Sequence, residues 1–297
     1  RLCLSNDANQ TGSHIIPFFI VKSLVNDDPM DKRDKEKSFK ISTSDLVSYY
    51  VGRNLSPEKI EKLLGRELTE DEIRKNASHY TRDHILCSWC EKRLQIIESE
   101  FNLKVYTKVQ AAKQNQLHKK LAFTDDLNVS AEIIRLFLFS IIWRCSVAKF
   151  LNLKLDSSIE ERLRELLDTG LTDRGEDLGK VAGAIAEKLK VFPLAVLHES
   201  KPDDSTRNIC FIHQFNRTPY CIIFNEFIVL FYNKKKSLYN PVDKCFGLEN
   251  LRFKGLVNLN EDKFKIGMLT KDQWRDYRSN VLKHVVKIMY NRSECRS

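Results

Sequence analysis

The stretch Asp83-His-Ile-Leu-Cys-Ser-Trp-Cys90 decides the fold of the N-terminal part of this chain. It ends in a C-x-x-C knuckle, Cys87 and Cys90, and the residues after it predict a helix that runs to about residue 110. Two thiolates at this spacing can grip one tetrahedral zinc ion, and the N-terminus of the helix favours their negative charge. A redox pair and a chance pair are the competing interpretations of a lone C-x-x-C.

Cys3 strengthens the zinc interpretation, because it lies shortly before the element Ser13-His-Ile-Ile-Pro17. A second knuckle around Cys3 would place its partner cysteine immediately before Arg1. The sequence therefore predicts a structural zinc site with Cys3, Cys87 and Cys90 as three ligands and the fourth just upstream of Arg1. The start of the chain shows no secretory pattern, which disfavours a disulfide framework among the cysteines.

Length and composition indicate a folded protein with enough apolar residues for at least one sizeable core. The chain has 297 residues, 42% of them hydrophobic. From that length alone we expect two domains. Its longest apolar run, Leu136–Trp143, is far shorter than the roughly 20 residues of a membrane helix. We therefore expect a soluble, cytoplasmic protein without a membrane partner.

The formal net charge of +9 is concentrated in two segments. Residues 101–150 hold eight basic and three acidic residues, and residues 251–297 hold eleven basic and five acidic ones. A basic face that binds the phosphate backbone of nucleic acid is one explanation. A solvated surface with a mild excess of lysine is the other, and composition leaves both open.

The pattern along the chain predicts an α+β protein of three parts. Residues 1–112 form a zinc-bearing region with a helical insertion at about 26–82, where helices start near Ser56 and Thr69. Residues 113–190 form a helical region around an apolar helix, Asn128 to Leu151, that we expect to be central. Residues 191–297 form an α+β region that ends in a helix from Lys271. Its β-branched and aromatic runs predict an antiparallel meander of four strands, at Val191–Leu197, Asn208–Gln214, Tyr220–Asn225 and Phe227–Tyr232.

Together, these motifs resemble the HNH, or ββα-metal, endonucleases built on a treble-clef zinc site. In that pattern a cysteine knuckle leads to a His-Ile-Ile-Pro element, and a second L-C-x-x-C knuckle opens the helix that carries the last metal ligand. More narrowly, the chain is similar to a bacterial subgroup in which the second knuckle is followed by glutamates, here Glu91 and Glu98, and by a downstream W-R-x-S helix. Trp143-Arg-Cys-Ser146 matches that helix, and the resemblance covers about residues 1–150.

The resemblance implies metal-dependent hydrolysis of phosphodiester bonds, with DNA as the substrate and bacterial defence as a role. His14 would be the general base that deprotonates a water, a task that suits an imidazole. A catalytic Mg²⁺ or Mn²⁺ would stabilise the leaving oxygen, with Glu91 and Glu98 as its candidate ligands, while zinc only holds the scaffold. Whether the chain also binds a protein partner or a second copy of itself stays open.

Three departures from the HNH pattern leave alternatives open. Ser13 occupies the position of the acidic metal ligand that usually precedes the base, Glu91 replaces the usual histidine, and the middle asparagine has no clear counterpart, although Asp83 and His84 lie nearby. His14 could instead be a half-buried strand histidine, and the glutamates a solvated helix face. The alternative functions are a catalytically inactive zinc-stapled module that binds nucleic acid or protein, and a structural adaptor.

Overall fold

A computed structural model describes residues 2–25, 37–40, 48–51, 66–67, 69, 80–112, 121–123, 130–173, 176–199, 210–214, 219–224, 226–234, 257–258, 263–277 and 279. They form helices and largely antiparallel sheets, so the α+β class expected from the sequence is confirmed. None of the helices in these ranges has the length and apolar character needed to cross a membrane.

The N-terminal region is built on a two-stranded sheet that joins distant parts of the chain. Strand β1 (Ser13–His14) pairs antiparallel with β4 (Thr81–Arg82), with Ser13 opposite Arg82 and His14 opposite Thr81. Helix α1 (Phe18–Val25) follows β1, and the insertion contains an antiparallel pair, β2 (Lys37–Lys40) and β3 (Ser48–Val51). The helices expected near Ser56 and Thr69 fall outside the described residues.

The second knuckle opens a long helix, as the sequence predicts. Helix α2 (Ser88–Phe101) passes through a π-helical turn (Asn102–Tyr106) into α3 (Thr107–Ala112). The π turn adds a residue and so shifts the helix register, which leaves Tyr106 buried between Phe19 and Phe227 at centroid distances of 5.1 and 5.7 Å.

Helix α4 (Ala131–Val147) occupies the centre of the molecule, and the expectation from its apolar sequence is confirmed. The Ser130 hydroxyl caps it, and all residues from Ile133 to Ser146 are buried. A 3₁₀ turn (Phe150–Asn152), α5 (Ser157–Gly170), α6 (Leu178–Ala184) and α7 (Ala186–Leu189) follow. Ile185 separates α6 from α7, because it leaves the helical conformation at φ −115°.

Six strands of the C-terminal region and one strand from the middle region form a seven-stranded sheet. Its strands are β5 (Leu121–Phe123), β6 (Leu194–Glu199), β7 (Cys210–Gln214), β8 (Tyr220–Phe224), β9 (Phe227–Phe231), β10 (Val257–Asn258) and β11 (Lys265–Leu269). Their order is β5-β11-β6-β9-β8-β7, with β10 also paired to β6.

The four strands expected from residue 191 onwards are present, but the expected meander is wrong in one respect. Strands β7, β8 and β9 are consecutive neighbours, whereas β6 pairs with β9 and, in parallel, with β11. Strand β6 therefore lies inside the sheet and is buried along its whole length. Residues 271–277 are helical, and the rest of the helix expected there lies outside the described residues.

One continuous cluster of buried side chains joins the three predicted regions. It runs from the cysteines of the knuckles, through α2 and α4, to the inner face of the sheet at Phe227 and Phe231. The boundaries expected at residues 112 and 190 stay predictions.

Candidate metal centre and active site

The structure brings the three predicted zinc ligands together. The ligand atoms of Cys3, Cys87 and Cys90 all lie within 4.8 Å of one another, and all three side chains are buried. The Sγ atoms of Cys3 and Cys87 are 3.8 Å apart. A tetrahedral zinc ion with Zn–S bonds of about 2.3 Å separates its sulfurs by about 3.8 Å, so the cluster fits this ion.

Backbone amides around the cluster favour thiolates. The amide of Cys90 donates to the Cys87 Sγ at 3.4 Å, where the helix begins. Leu4 adopts a left-handed conformation with φ 56°, and the backbone N–H groups of Ser5 and Asn6 reach the Cys3 sulfur. A left-handed leucine is strained by roughly 1–2 kcal/mol, so the surrounding structure imposes this turn.

The thiols also affect one another. Burial and the neighbouring sulfurs of Cys87 and Cys3 raise the pKa of the Cys90 thiol to about 12. For Cys3, burial raises the pKa, but hydrogen bonds from the backbone and from the other thiols outweigh burial and lower it to about 7. Three thiolates in so small a volume repel one another, and a bound divalent cation removes that repulsion.

Helix α5 fastens both knuckles through a chain of ionic contacts. Arg164 donates to the Leu2 carbonyl at 2.8 Å and lies 3.8 Å from Asp168. Asp168 forms an ion pair of 2.8 Å with the buried Arg93, whose guanidinium lies 4.2 Å from the Trp89 ring centroid. The chain of contacts connects the residue before Cys3 to a residue inside the second knuckle, and we call it the α5 bracket.

Strand β1 places Ser13 beside Glu91 in the first turn of α2, and His14 follows Ser13 in the strand. Ser13 is fully buried and lies close enough to Glu91 to lower the pKa of that carboxyl. Nevertheless, Ser13 Oγ and Glu91 Oε2 make no hydrogen bond of normal geometry to any described residue. His14, which pairs with Thr81, is half-exposed. Its ring lies edge-on to the Phe18 ring, with 5.5 Å between the ring centroids.

The charge on Glu91 is set by burial and by its neighbours. Burial raises the pKa of the Glu91 carboxyl above its usual range, and the nearby Glu98 adds to that rise. The Arg144 guanidinium and the Ser13 hydroxyl oppose it. The ionised carboxylate is therefore held in an environment that disfavours it, which is typical of functional groups.

Glu98 is close to Glu91 but has its own partner. Its Oε1 forms an ion pair of 2.7 Å with Nη1 of Arg144, and the same nitrogen donates to the His14 carbonyl at 2.8 Å. Among the described residues, the cysteine triad is the one group of three or more metal-ligating side chains that could hold an ion. His14, Glu91 and Glu98 thus do not form a second such group.

Two contacts of this site were not anticipated from the sequence. The first is the contact of Arg144 with His14 and Glu98. The sequence identified Arg144 only as part of the W-R-x-S motif, although a charged residue inside an apolar helix indicates a buried partner. Asp83 accepts a hydrogen bond of 2.6 Å from the Gly12 amide and so ties the turn before β1 to the turn before the second knuckle, while His84 is exposed.

Part of the predicted basic face is not at the surface. Arg135 and Arg144, two of the eight basic residues in 101–150, are buried and bind protein carbonyls. Lys108 and Lys149 are exposed, whereas most of the basic segment 251–297 falls outside the described ranges.

Comparison with known proteins finds no relative for this chain. No family model, curated protein or solved structure matches it.

Proposed function

We propose that this chain is a metal-dependent endonuclease that hydrolyses phosphodiester bonds of DNA, with a structural zinc ion beside its active site. The observation that carries the proposal is the proximity of Ser13, the residue before His14, to Glu91, which is one residue from the proposed zinc ligand Cys90. A two-stranded sheet and one helix, next to a cluster of three cysteines, thus bring the strand that carries the candidate base beside a candidate carboxylate ligand.

His14 is the general base in this proposal. It is half-exposed on the side of β1 that carries Thr81, so a phosphodiester in solution can reach it. Its backbone is held by Arg144 on one side and by the pairing with β4 on the other. A positioned imidazole can accept the proton of an attacking water.

Glu91 and Ser13 are the proposed ligands of a catalytic Mg²⁺ or Mn²⁺. They offer hard oxygen atoms, which these ions prefer. Two of those atoms, Ser13 Oγ and Glu91 Oε2, are buried close to each other and make no hydrogen bond of normal geometry to the described residues, an arrangement that a cation would satisfy. When bound, the ion would stabilise the negative charge that develops on the leaving oxygen.

A zinc-stapled binding module without catalysis is the second candidate function. It is favoured by the serine at position 13, a weaker ligand than a carboxylate, and by the ion pair that occupies Glu98. Such a module would bind nucleic acid through its exposed lysines, with an affinity that falls steeply as salt rises.

A metal titration with supercoiled plasmid DNA tests the proposal. The protein should nick the plasmid with Mg²⁺ or Mn²⁺, and Glu91→Gln should need a higher ion concentration for the same rate. Glu187→Gln, at an exposed site in α7, is the matched control. Salt-sensitive binding without cleavage in any divalent metal would reject the endonuclease and support the binding module.

A further inference from the structure

We propose that Arg144 is a positioning residue with two effects. It fixes the backbone of His14, and it holds Glu98 in an ion pair, so that Glu91 is the carboxylate left for a metal ion. This inference rests on the endonuclease function proposed above. Arg144 lies in the central helix α4, and its side chain is 2% exposed, so it is too deeply buried to contact a substrate.

The contacts of Arg144 converge on the candidate site. Nη1 bridges the His14 carbonyl at 2.8 Å and Glu98 Oε1 at 2.7 Å. The other two nitrogens bind Ser140, Nε to its carbonyl at 3.2 Å and Nη2 to its hydroxyl at 3.3 Å. Ser140 belongs to the same helix, so the guanidinium is braced from behind and points toward β1.

The bracing by Ser140 explains why the site uses arginine. A guanidinium is planar and rigid, and it can hold Ser140 with two nitrogens while the third faces the site. A lysine ammonium carries the same charge but is a single point on a flexible chain. It cannot bind Ser140 and the His14–Glu98 pair in one fixed geometry.

Arg144 also separates the roles of the two glutamates. Glu91 and Glu98 lie two turns apart on one face of α2, and the charge of Glu98 disfavours ionisation of Glu91. The direct ion pair with Arg144 neutralises Glu98, whereas Glu91 is influenced by the same guanidinium without a direct contact of that kind. Glu98 therefore holds Arg144 in place rather than binding the metal ion. Its substitution should leave the metal concentration needed for cleavage unchanged.

Arg135 provides a matched control for a merely structural role. It lies on the same helix, is equally buried, and holds the carbonyls of Phe192 and Asn258 at 3.4 and 3.2 Å. It thereby ties α4 to the sheet rather than to β1. Lysine at either position should cost stability, but only at position 144 should it disturb the candidate site.

The experiment compares Arg144→Lys and Arg135→Lys in the full chain by peptide-level hydrogen exchange and by kinetics on plasmid DNA. Arg144→Lys should increase exchange at the β1–β4 pair, where the Ile15 amide binds the Tyr80 carbonyl at 2.7 Å. It should lower kcat by about tenfold or more with KM for DNA and the metal requirement unchanged, since small displacements of a catalytic group are costly. Arg135→Lys should instead increase exchange around Asn258 and keep kcat.

Several outcomes would overturn the positioning role. The first is unchanged exchange at the β1–β4 pair in Arg144→Lys. The second is an equal loss of kcat in Arg144→Lys and Arg135→Lys. The third is full recovery of the rate of Arg144→Lys by added metal. If Arg144→Lys does not fold, Glu98→Gln takes its place: a raised metal requirement would make Glu98 a ligand and refute the inference. A further result would separate the two proposals. If exchange at the β1–β4 pair increases in Arg144→Lys but the unaltered protein does not cleave DNA, the nuclease activity is rejected and the role of Arg144 in fixing His14 is retained.

Discussion

The sulfur atoms of Cys3 and Cys87 lie 3.8 Å apart although 84 residues separate them in the chain. With Cys90 they form a buried triad of thiols, all within 4.8 Å of one another, that could hold a metal ion. A zinc ion held by these three sulfurs would need one further ligand to complete its shell.

Native protein should contain about one zinc ion per chain. Because metal binding folds such regions, Cys87→Ser should give insoluble or protease-sensitive protein rather than a clean inactive one. Cys145→Ala removes a buried cysteine of α4 outside the triad and should retain zinc. Elemental analysis without zinc, or a disulfide between Cys87 and Cys90, would contradict the assignment.

The α5 bracket should slow the release of zinc. Asp168→Asn removes the charge that links Arg164 to Arg93, so both knuckles lose part of their support. Residues that orient metal ligands typically change metal affinity by about 10- to 100-fold, so transfer of zinc to a chromogenic chelator should accelerate by about tenfold.

Glu165→Gln, on an exposed face of the same helix, is the control for this measurement and should release zinc at the unaltered rate. Equal release rates for Asp168→Asn and Glu165→Gln would show that the α5 bracket does not support the knuckles.

Glu91 should lower the stability of the protein at neutral pH. Its pKa in the folded state is raised above the ordinary value of 4.5, mainly by burial. The folded state therefore binds the proton more tightly than the unfolded state, and stability falls as pH rises from 4.5 through the raised folded value. Glu91→Gln should remove this dependence and raise the melting temperature at neutral pH by roughly 2 °C or more.

Thermal unfolding across pH, with Glu187→Gln as an exposed control, checks this prediction. A lower melting temperature for Glu91→Gln at neutral pH would mean that the fold stabilises the carboxylate, which is the opposite of what burial does to it. A functional group that costs stability is a common feature of active sites.

Two of the three clustered cysteines were predictable from local spacing, whereas Cys3, 84 residues from Cys87, was included because of the Ser13–Pro17 element that follows it. Cys87 and Cys90 sit on one turn at the start of a helix, and this geometry depends on neighbouring residues alone. Long apolar helices such as α4 were also predictable, since burial on all faces is visible in the composition.

Contacts between distant segments were not predictable. Arg144 meets His14 across 130 residues, and nothing in the local pattern of α4 names that partner. The strand order had the same difficulty: β6 pairs with β9 and β11 rather than β7, a choice determined by how the sheet packs. The resemblance made Glu91 and Glu98 equal candidates for metal ligands, but the ion pair of Glu98 with Arg144 distinguishes them.

The most direct test of the proposed active site is the single-turnover rate of plasmid cleavage by His14→Ala, measured beside His84→Asn. His84 is exposed and has φ 60°, a conformation that asparagine tolerates, so this control alters a histidine of the same region without strain. We predict that His14→Ala loses about 100-fold or more of the cleavage rate with zinc content and melting temperature nearly unchanged, while His84→Asn cuts like the unaltered protein. Cleavage by His14→Ala at the unaltered rate would contradict this role for His14, because the active site would then lie elsewhere.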